Sequence, residues 1–128
     1  TLCSINKKTM ELNWAGAHCP LWIIRNAEIK EYKADKQPIG KFTDAKPFTN
    51  NQIQLEEEDQ IYLFSDGFQD QFGGDMNKKF KSRPLKNLFI EIAGLDANDQ
   101  RNKLERTFES WKGSNEQTDD VCILGIRY

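Results

Sequence analysis

Apolar residues recur along this chain in two rhythms, and the change between them divides it. In the first half the period is two. Met10, Leu12 and Trp14 alternate with Glu11 and Asn13, the mark of a strand with one buried face. Leu2 to Ile5 predicts a strand before it, with Asn6-Lys7-Lys8-Thr9 as the turn. Leu21 to Ile24 is the next apolar run. Arg25-Asn26-Ala27 reads as a hairpin turn, and Ile29 and Tyr32 carry a weaker return strand. Successive strands joined by tight turns read most simply as an antiparallel meander. Residues 34 to 50 hold Pro38, Gly40 and Pro47 among polar neighbours and read as loop. Ile53 and Leu55 mark a short strand, closed by the acidic turn Glu56-Glu57-Glu58-Asp59. Ile61-Tyr62-Leu63-Phe64 is unbroken, so this strand is expected to be buried on both faces, and it stops at Ser65-Asp66-Gly67.

Beyond that point the period becomes 3.6. Leu85, Leu88, Phe89 and Ile92 fall on one helical face, with Ser82 as the expected cap, Pro84 in the first turn and Gly94 at the end. Asp96 is placed to cap a second helix carrying Leu104, Phe108 and Trp111, with Gly113 as its stop. Between strand and helices, Gly73-Gly74 and the basic residues Lys78, Lys79, Lys81 and Arg83 read as a mobile flap or loop. Val121 to Ile126 predicts a final buried strand. Many strands, two helices and one last strand define an α+β class with a largely antiparallel sheet.

Length and composition narrow the picture. At 128 residues, one domain spanning 1–128 is the expectation. With 18 basic and 20 acidic residues, net charge −2, nothing favours nucleic acid or an anionic membrane as partner. The 3 Trp, 3 Tyr and 8 Phe argue for a packed core over disorder. Cys3, Cys19 and Cys122 are odd in number and lack a C-x-x-C spacing, which disfavours a disulfide framework or structural zinc and fits a reducing, cytoplasmic setting. Cys19 and Cys122 neighbour apolar sequence and are expected to be buried. No apolar run is long enough to cross a membrane. The chain starts without methionine, directly in strand-like sequence, so a piece of something longer is expected.

Two places invite chemistry. Asp66 lies just past one buried strand and Asp119-Asp120 just before another. If those strands are antiparallel neighbours, the carboxylates share a sheet edge. Clustered carboxylates repel unless a cation or proton lies between them, and oxygen-only donors suit Mg²⁺ or Mn²⁺. The plain alternative is that Asp-Gly is a turn in which glycine accepts positive φ, and that Asp-Asp is a solvated loop.

The string Tyr62-Leu63-Phe64-Ser65-Asp66-Gly67-Phe68, followed by Asp70, resembles a motif of the metal-dependent serine/threonine phosphatases of the type 2C class, in their SpoIIE-type branch. Three further landmarks agree in order: Ala15-Gly16-Ala17-His18-Cys19-Pro20 is similar to that branch's Asn-Ala-Gly-His-Asn-Pro, Pro38-Ile39-Gly40 to its Pro-Leu-Gly, and Thr118-Asp119-Asp120-Val121-Cys122-Ile123-Leu124 to its closing Asp-Asp-x-Thr followed by an apolar strand. The resemblance implies a partly antiparallel β-sandwich flanked by helices, of which this chain supplies the C-terminal portion and lacks the N-terminal side. It implies that Asp66 and Asp119 ligate metal, that Asp70 supports them or ligates an additional ion, and that Asp120 and Gly67 support. Two Mn²⁺ or Mg²⁺ ions in the intact domain would activate water against a phosphoserine or phosphothreonine on a partner protein. The implied partners are a phosphorylated regulatory protein and an upstream sensor segment.

The sequence departs from that pattern in one respect. The Asp-x-x-Gly-His-Gly motif, whose aspartate bridges the two metals, has no counterpart here, so the chain alone is expected to be inactive or weakly metal-binding. A phosphatase-like interaction module without catalysis is the alternative reading. Homodimerisation through open sheet edges is a third expectation. His18 is read as a turn residue, not a general acid or base. Trp14, Trp22 and Trp111 are read as core. Lys78, Lys79 and Lys81 are candidates for steering an anionic substrate.

Overall fold

The computed structural model describes residues 1–41 and 43–128. Strand β1 (Leu2–Asn6) turns back into β2 (Glu11–Ala15), with Leu2 opposite Ala15 and Asn6 opposite Glu11. The Asn6 carboxamide oxygen accepts from the Lys8 and Thr9 amides and pins the turn. The next partner of β2 is β5 (Asn51–Gln54), with Leu12 opposite Ile53. Strand β3 (Leu21–Arg25) instead pairs antiparallel with β6 (Gln60–Phe64), Trp22 opposite Tyr62. The early strands therefore form no single meander. Leaving β2, the chain enters a second sheet of order β4-β3-β6-β9, where β4 is Glu28–Tyr32 and β9 is Ile123–Arg127. The expected hairpin turn between β3 and β4 is present, with Asn26 and Ala27 at φ 51° and 60°.

The chain separates into two compact units. The first comprises residues 1–25, 30–64 and 124–128. Its core takes Leu12, Trp14 and Ile53 from one sheet and Leu21, Ile23 and Ile61 from the other, so the two sheets face each other as a sandwich. Alternation in β2 buries Leu12 and Trp14, and β6 is buried along nearly all its length. Arg25, at the end of β3, grips the fully buried carboxylate of Asp59 through Nε at 2.7 Å and Nη2 at 2.6 Å. This bidentate bond is the main cause holding the Arg25 guanidinium above its usual pKa.

The second unit comprises residues 26–29 and 65–123. It holds a short helix α1 (Gly67–Asp70), a two-rung hairpin of β7 (Phe72–Gly73) and β8 (Lys78–Lys79), and helices α2 (Ser82–Ile92) and α3 (Ala97–Lys112). Leu85, Leu88, Phe89 and Ile92 line the buried face of α2, as their spacing requires. Asp96 caps α3 by accepting from the Asn98 and Asp99 amides, and Gly113 closes it at φ 57°. Phe68 centres an aromatic cluster, 5.0 Å from Phe80 and 5.1 Å from Phe108.

Four expectations are corrected. The stretch read as flap or loop holds a hairpin, Phe72–Gly73 against Lys78–Lys79, and Gly73 packs so closely on Trp111 that a Cβ there would lie 1.8 Å from its carbonyl oxygen. Ser82 does not cap α2; Lys81, at φ 74°, holds that position and the helix has no side-chain cap. Strand β9 is not buried, since it ends the sheet order and Leu124 is 52 % exposed. Cys122, just before that edge strand, is exposed rather than buried, whereas Cys19 is half-buried.

Candidate functional site: the strand end at Asp66 and the loop at Asp119

The site lies within the second unit. Strand β6 ends at Phe64, and the backbone of the next residue, Ser65, donates to the Cys122 carbonyl at 3.0 Å. The Ser65 hydroxyl donates to the Asp120 carbonyl at 2.7 Å and accepts from the Cys122 amide at 2.9 Å. One serine thus occupies three backbone groups of the segment that follows Asp119. This clip sets the 119–122 segment beside the start of α1.

Gly67 brings the two backbones into contact. A Cβ at this position would lie 2.4 Å from the Asp120 carbonyl oxygen and 3.2 Å from that of Asp119. Gly67 is the first residue of α1 and is not among the glycines with positive φ. The turn alternative explained the glycine by backbone freedom, but the structure gives close approach as the reason.

Asp66, Asp119 and Asp120 are exposed, and Asp70 is half-buried. Asp66 is the N-cap residue of the one-turn α1, its side chain makes no cap bond, and its carbonyl accepts from the Asp70 amide at 3.0 Å. Asp119 Oδ1 accepts from the Asp120 amide at 2.7 Å, which fixes the side chain against its own backbone. The Gln117 side-chain Nε2 donates to the Asp119 carbonyl at 2.8 Å. Lys79 Nζ lies 3.0 Å from Asp70 Oδ2, a pair open to solvent on one side. Lys78 is exposed on β8, and the Lys81 backbone donates to the Gln69 carbonyl at 2.7 Å.

The sequence-derived residues Asp66, Gly67, Asp119 and Asp120 therefore meet through contacting backbone. Asp70 and Lys79 pair beside them. His18 belongs to the first unit: exposed, at φ 59°, its amide donating to the Asp35 carbonyl, it is a turn residue. Among the described residues no group of three His, Cys, Asp or Glu is arranged to hold a metal ion. Two residues escaped the sequence reading, the Ser65 hydroxyl and the fully buried side chain of Gln71. The signal for Ser65 was its place beside Asp66 at a strand end. No signal marked Gln71, which reads as one more polar residue in a polar loop.

Comparison with solved structures defines the class. The SiaA-PP2C domain of Pseudomonas aeruginosa superimposes with a TM-score of 0.88 at 29 % identity, covering 95 % of this chain and 48 % of that one. The PP2C phosphatase domain of SpoIIE from Bacillus subtilis, solved with a fragment of its regulatory domain, gives 0.74 at 18 % identity over 98 % of this chain and 36 % of that one. The RsbU and RsbW domains of a Mycobacterium tuberculosis protein give 0.71 at 22 % identity, covering 98 % and 35 %. The fold is that of the PP2C phosphatase domains, and the chain spans about half or less of each matched structure. No curated protein matches the chain. The profile of the family described as Stage II sporulation protein E (SpoIIE) matches residues 1–128, and the chain belongs to that family.

Proposed function

We propose that this chain contributes part of the metal site of a protein serine/threonine phosphatase that acts on a phosphorylated signalling partner in the cytoplasm. The observation that carries the reading is the contact of Gly67 with Asp119 and Asp120, which sets two carboxylates on adjoining backbone at a strand end. Such donors fit a hard, oxygen-seeking ion such as Mn²⁺ or Mg²⁺. They amount to part of a cage rather than a whole one, in keeping with a chain that spans about half of the matched domains.

In this reading Asp66 and Asp119 hold the ion. Asp120 supports through the carbonyl that the Ser65 hydroxyl binds. Asp70 holds Lys79 or faces an additional ion, and Gly67 keeps the aspartates close. When bound, the metal supplies an activated water and a counter-charge for phosphate. Lys78, Lys79 and Lys81 raise the local concentration of an anionic substrate. An upstream sensor segment regulates the domain, and the exposed edge strand β9 offers a second copy a pairing surface.

The test is hydrolysis of a small aryl phosphate with Mn²⁺ by the full-length protein and by Asp66→Asn and Asp119→Asn. Loss of at least about a hundredfold in both variants, with unchanged melting, is the expected result. Equal activity in all three refutes the site. A second reading, a phosphatase-like interaction module without catalysis, is favoured by the absence of a three-carboxylate cluster among the described residues. It predicts no hydrolysis even in the full-length protein, with partner binding unaffected by Asp66→Asn.

A further inference from the structure

Gln71 follows α1 and is fully buried, although its neighbours in sequence are polar or exposed. A buried carboxamide needs partners for its oxygen and both amide hydrogens. Its Oε1 accepts from the Thr118 amide at 3.0 Å, and its Nε2 donates to the Glu116 carbonyl at 2.9 Å and to the Phe72 carbonyl at 3.0 Å. The Gln71 backbone carbonyl accepts from Trp111 Nε1 and from the Phe80 amide, each at 3.0 Å. Every polar group of the side chain is used, and two of its three bonds go to the segment that leads into Asp119.

Residues 116–118 and 120 are exposed and lie outside regular structure. Such a segment has little apolar burial to fix it, so its course depends on specific bonds. Gln71 binds it at Glu116 and Thr118, and Ser65 binds it at Asp120 and Cys122. Asp119 lies between these two anchor points. We infer that Gln71 is the positioning residue for Asp119: from inside the second unit, its carboxamide fixes the backbone that presents the carboxylate. This rests on the reading of Asp119 as a metal ligand and adds the residue that aims it.

The experiment uses the full-length protein and three variants. Gln71→Met keeps the length and bulk of the side chain and removes its three hydrogen bonds. Trp111→Phe removes the indole bond to the Gln71 carbonyl and leaves the bonds to 116 and 118 intact. Asp119→Asn reports on the metal site itself. The readouts are the Mn²⁺ dissociation constant by titration calorimetry and amide hydrogen exchange of Thr118. Gln71→Met is expected to weaken Mn²⁺ binding by about tenfold, the scale seen when a group that orients a metal ligand is lost. Trp111→Phe is expected to leave it within about twofold. In the unaltered protein the Thr118 amide, on an exposed residue, is expected to be protected, and in Gln71→Met it loses that protection.

If Thr118 exchanges in the unaltered protein like a free loop amide, the inference falls, whether or not Gln71→Met folds. If Asp119→Asn weakens Mn²⁺ binding but Gln71→Met does not, the inference falls and the metal reading stands. If Trp111→Phe weakens binding as much as Gln71→Met, the effect is general loosening and Gln71 has no special part. If Asp119→Asn binds Mn²⁺ as the unaltered protein does, the metal reading falls and the inference with it.

Discussion

Adding one methyl group at Gly67 tests whether contact or flexibility places a glycine there. The Cβ of Gly67→Ala would meet the Asp120 carbonyl oxygen at 2.4 Å and its carbon at 2.9 Å. Real Cβ contacts essentially never fall below 3.0 Å, so α1 and the 119–120 backbone must separate by at least about 0.6 Å. The obstacle is backbone held by Ser65, not the yielding tip of a side chain. Forcing such a contact in packed structure costs about 1–3 kcal/mol. In a chain of this size that corresponds to a fall in Tm of roughly 4–12 °C. The same displacement moves Asp66 relative to Asp119, and on the proposed phosphatase reading misplacement on this scale costs roughly tenfold or more in rate. Gly94→Ala is the control, since no atom lies within 4 Å of its Cβ and its φ is not positive. Reducing the unfolded chain's freedom there should leave stability unchanged or raise it by about 0.4–1 kcal/mol. The assay is a thermal melt of each variant, together with Mn²⁺-dependent aryl phosphate hydrolysis by the full-length protein. Gly67→Ala melting and turning over like the unaltered protein would refute the close-contact account.

Three further outcomes follow from the same kind of reasoning. Arg25→Met removes the cation from the fully buried carboxylate of Asp59, which keeps the Glu56 amide as donor, and should cost about 3–5 kcal/mol, read as a shift in denaturant midpoint; Asp59→Ala should cost less, because the Arg25 side chain is 31 % exposed and regains water. Asp96→Ala removes the acceptor for two amides at the start of α3 and should cost about 1 kcal/mol, with helix content by circular dichroism otherwise unchanged. Burial raises the Cys3 thiol's pKa, so folding favours the neutral thiol; that contribution holds below the free thiol's pKa and is lost as pH rises through the folded value, and mass spectrometry after brief alkylation near neutral pH should find exposed Cys122 modified before Cys3.

What the sequence made legible follows from range. Period-two and period-3.6 patterns are local, and they located β2, β3, β6, α2 and α3. Caps are local too, hence Asp96 and Gly113. The division of strands between sheets is not local. Nothing in residues 1–32 says that β2 turns to β5 while β3 turns to β6, because each run offers an apolar face to either partner. The exposure of β9 escaped for a related reason: an apolar run reads alike at a sheet's centre and at its edge, and only the order of strands distinguishes them. The proximity of the Asp66 and Asp119 segments was legible from their places at strand ends, and the contact at Gly67 shows it. Ser65 and Gln71 were not, since their parts depend on backbone groups about 45 to 57 residues away along the chain.

The site can be understood as an answer to a problem of precision. Its ligand candidates are exposed and stand at the end of a strand and in a loop, where backbone is least constrained. A metal site requires its donors fixed to within about half an ångström. The precision must then come from what lies beneath. Ser65 fixes one side of Asp119 and Gln71 the other, while Gly67 removes the one methyl group that would hold the two backbones apart. These three residues carry no charge, so a search for ionisable clusters passes over them. They also limit what this chain contributes alone. On the proposed reading of Asp66 and Asp119 as metal ligands, they hold two carboxylates close together, which is part of a coordination shell. On that reading, the bonds of Ser65 and Gln71 and the close approach at Gly67 should be the same with and without Mn²⁺, and amide exchange of Thr118 measured both ways checks it.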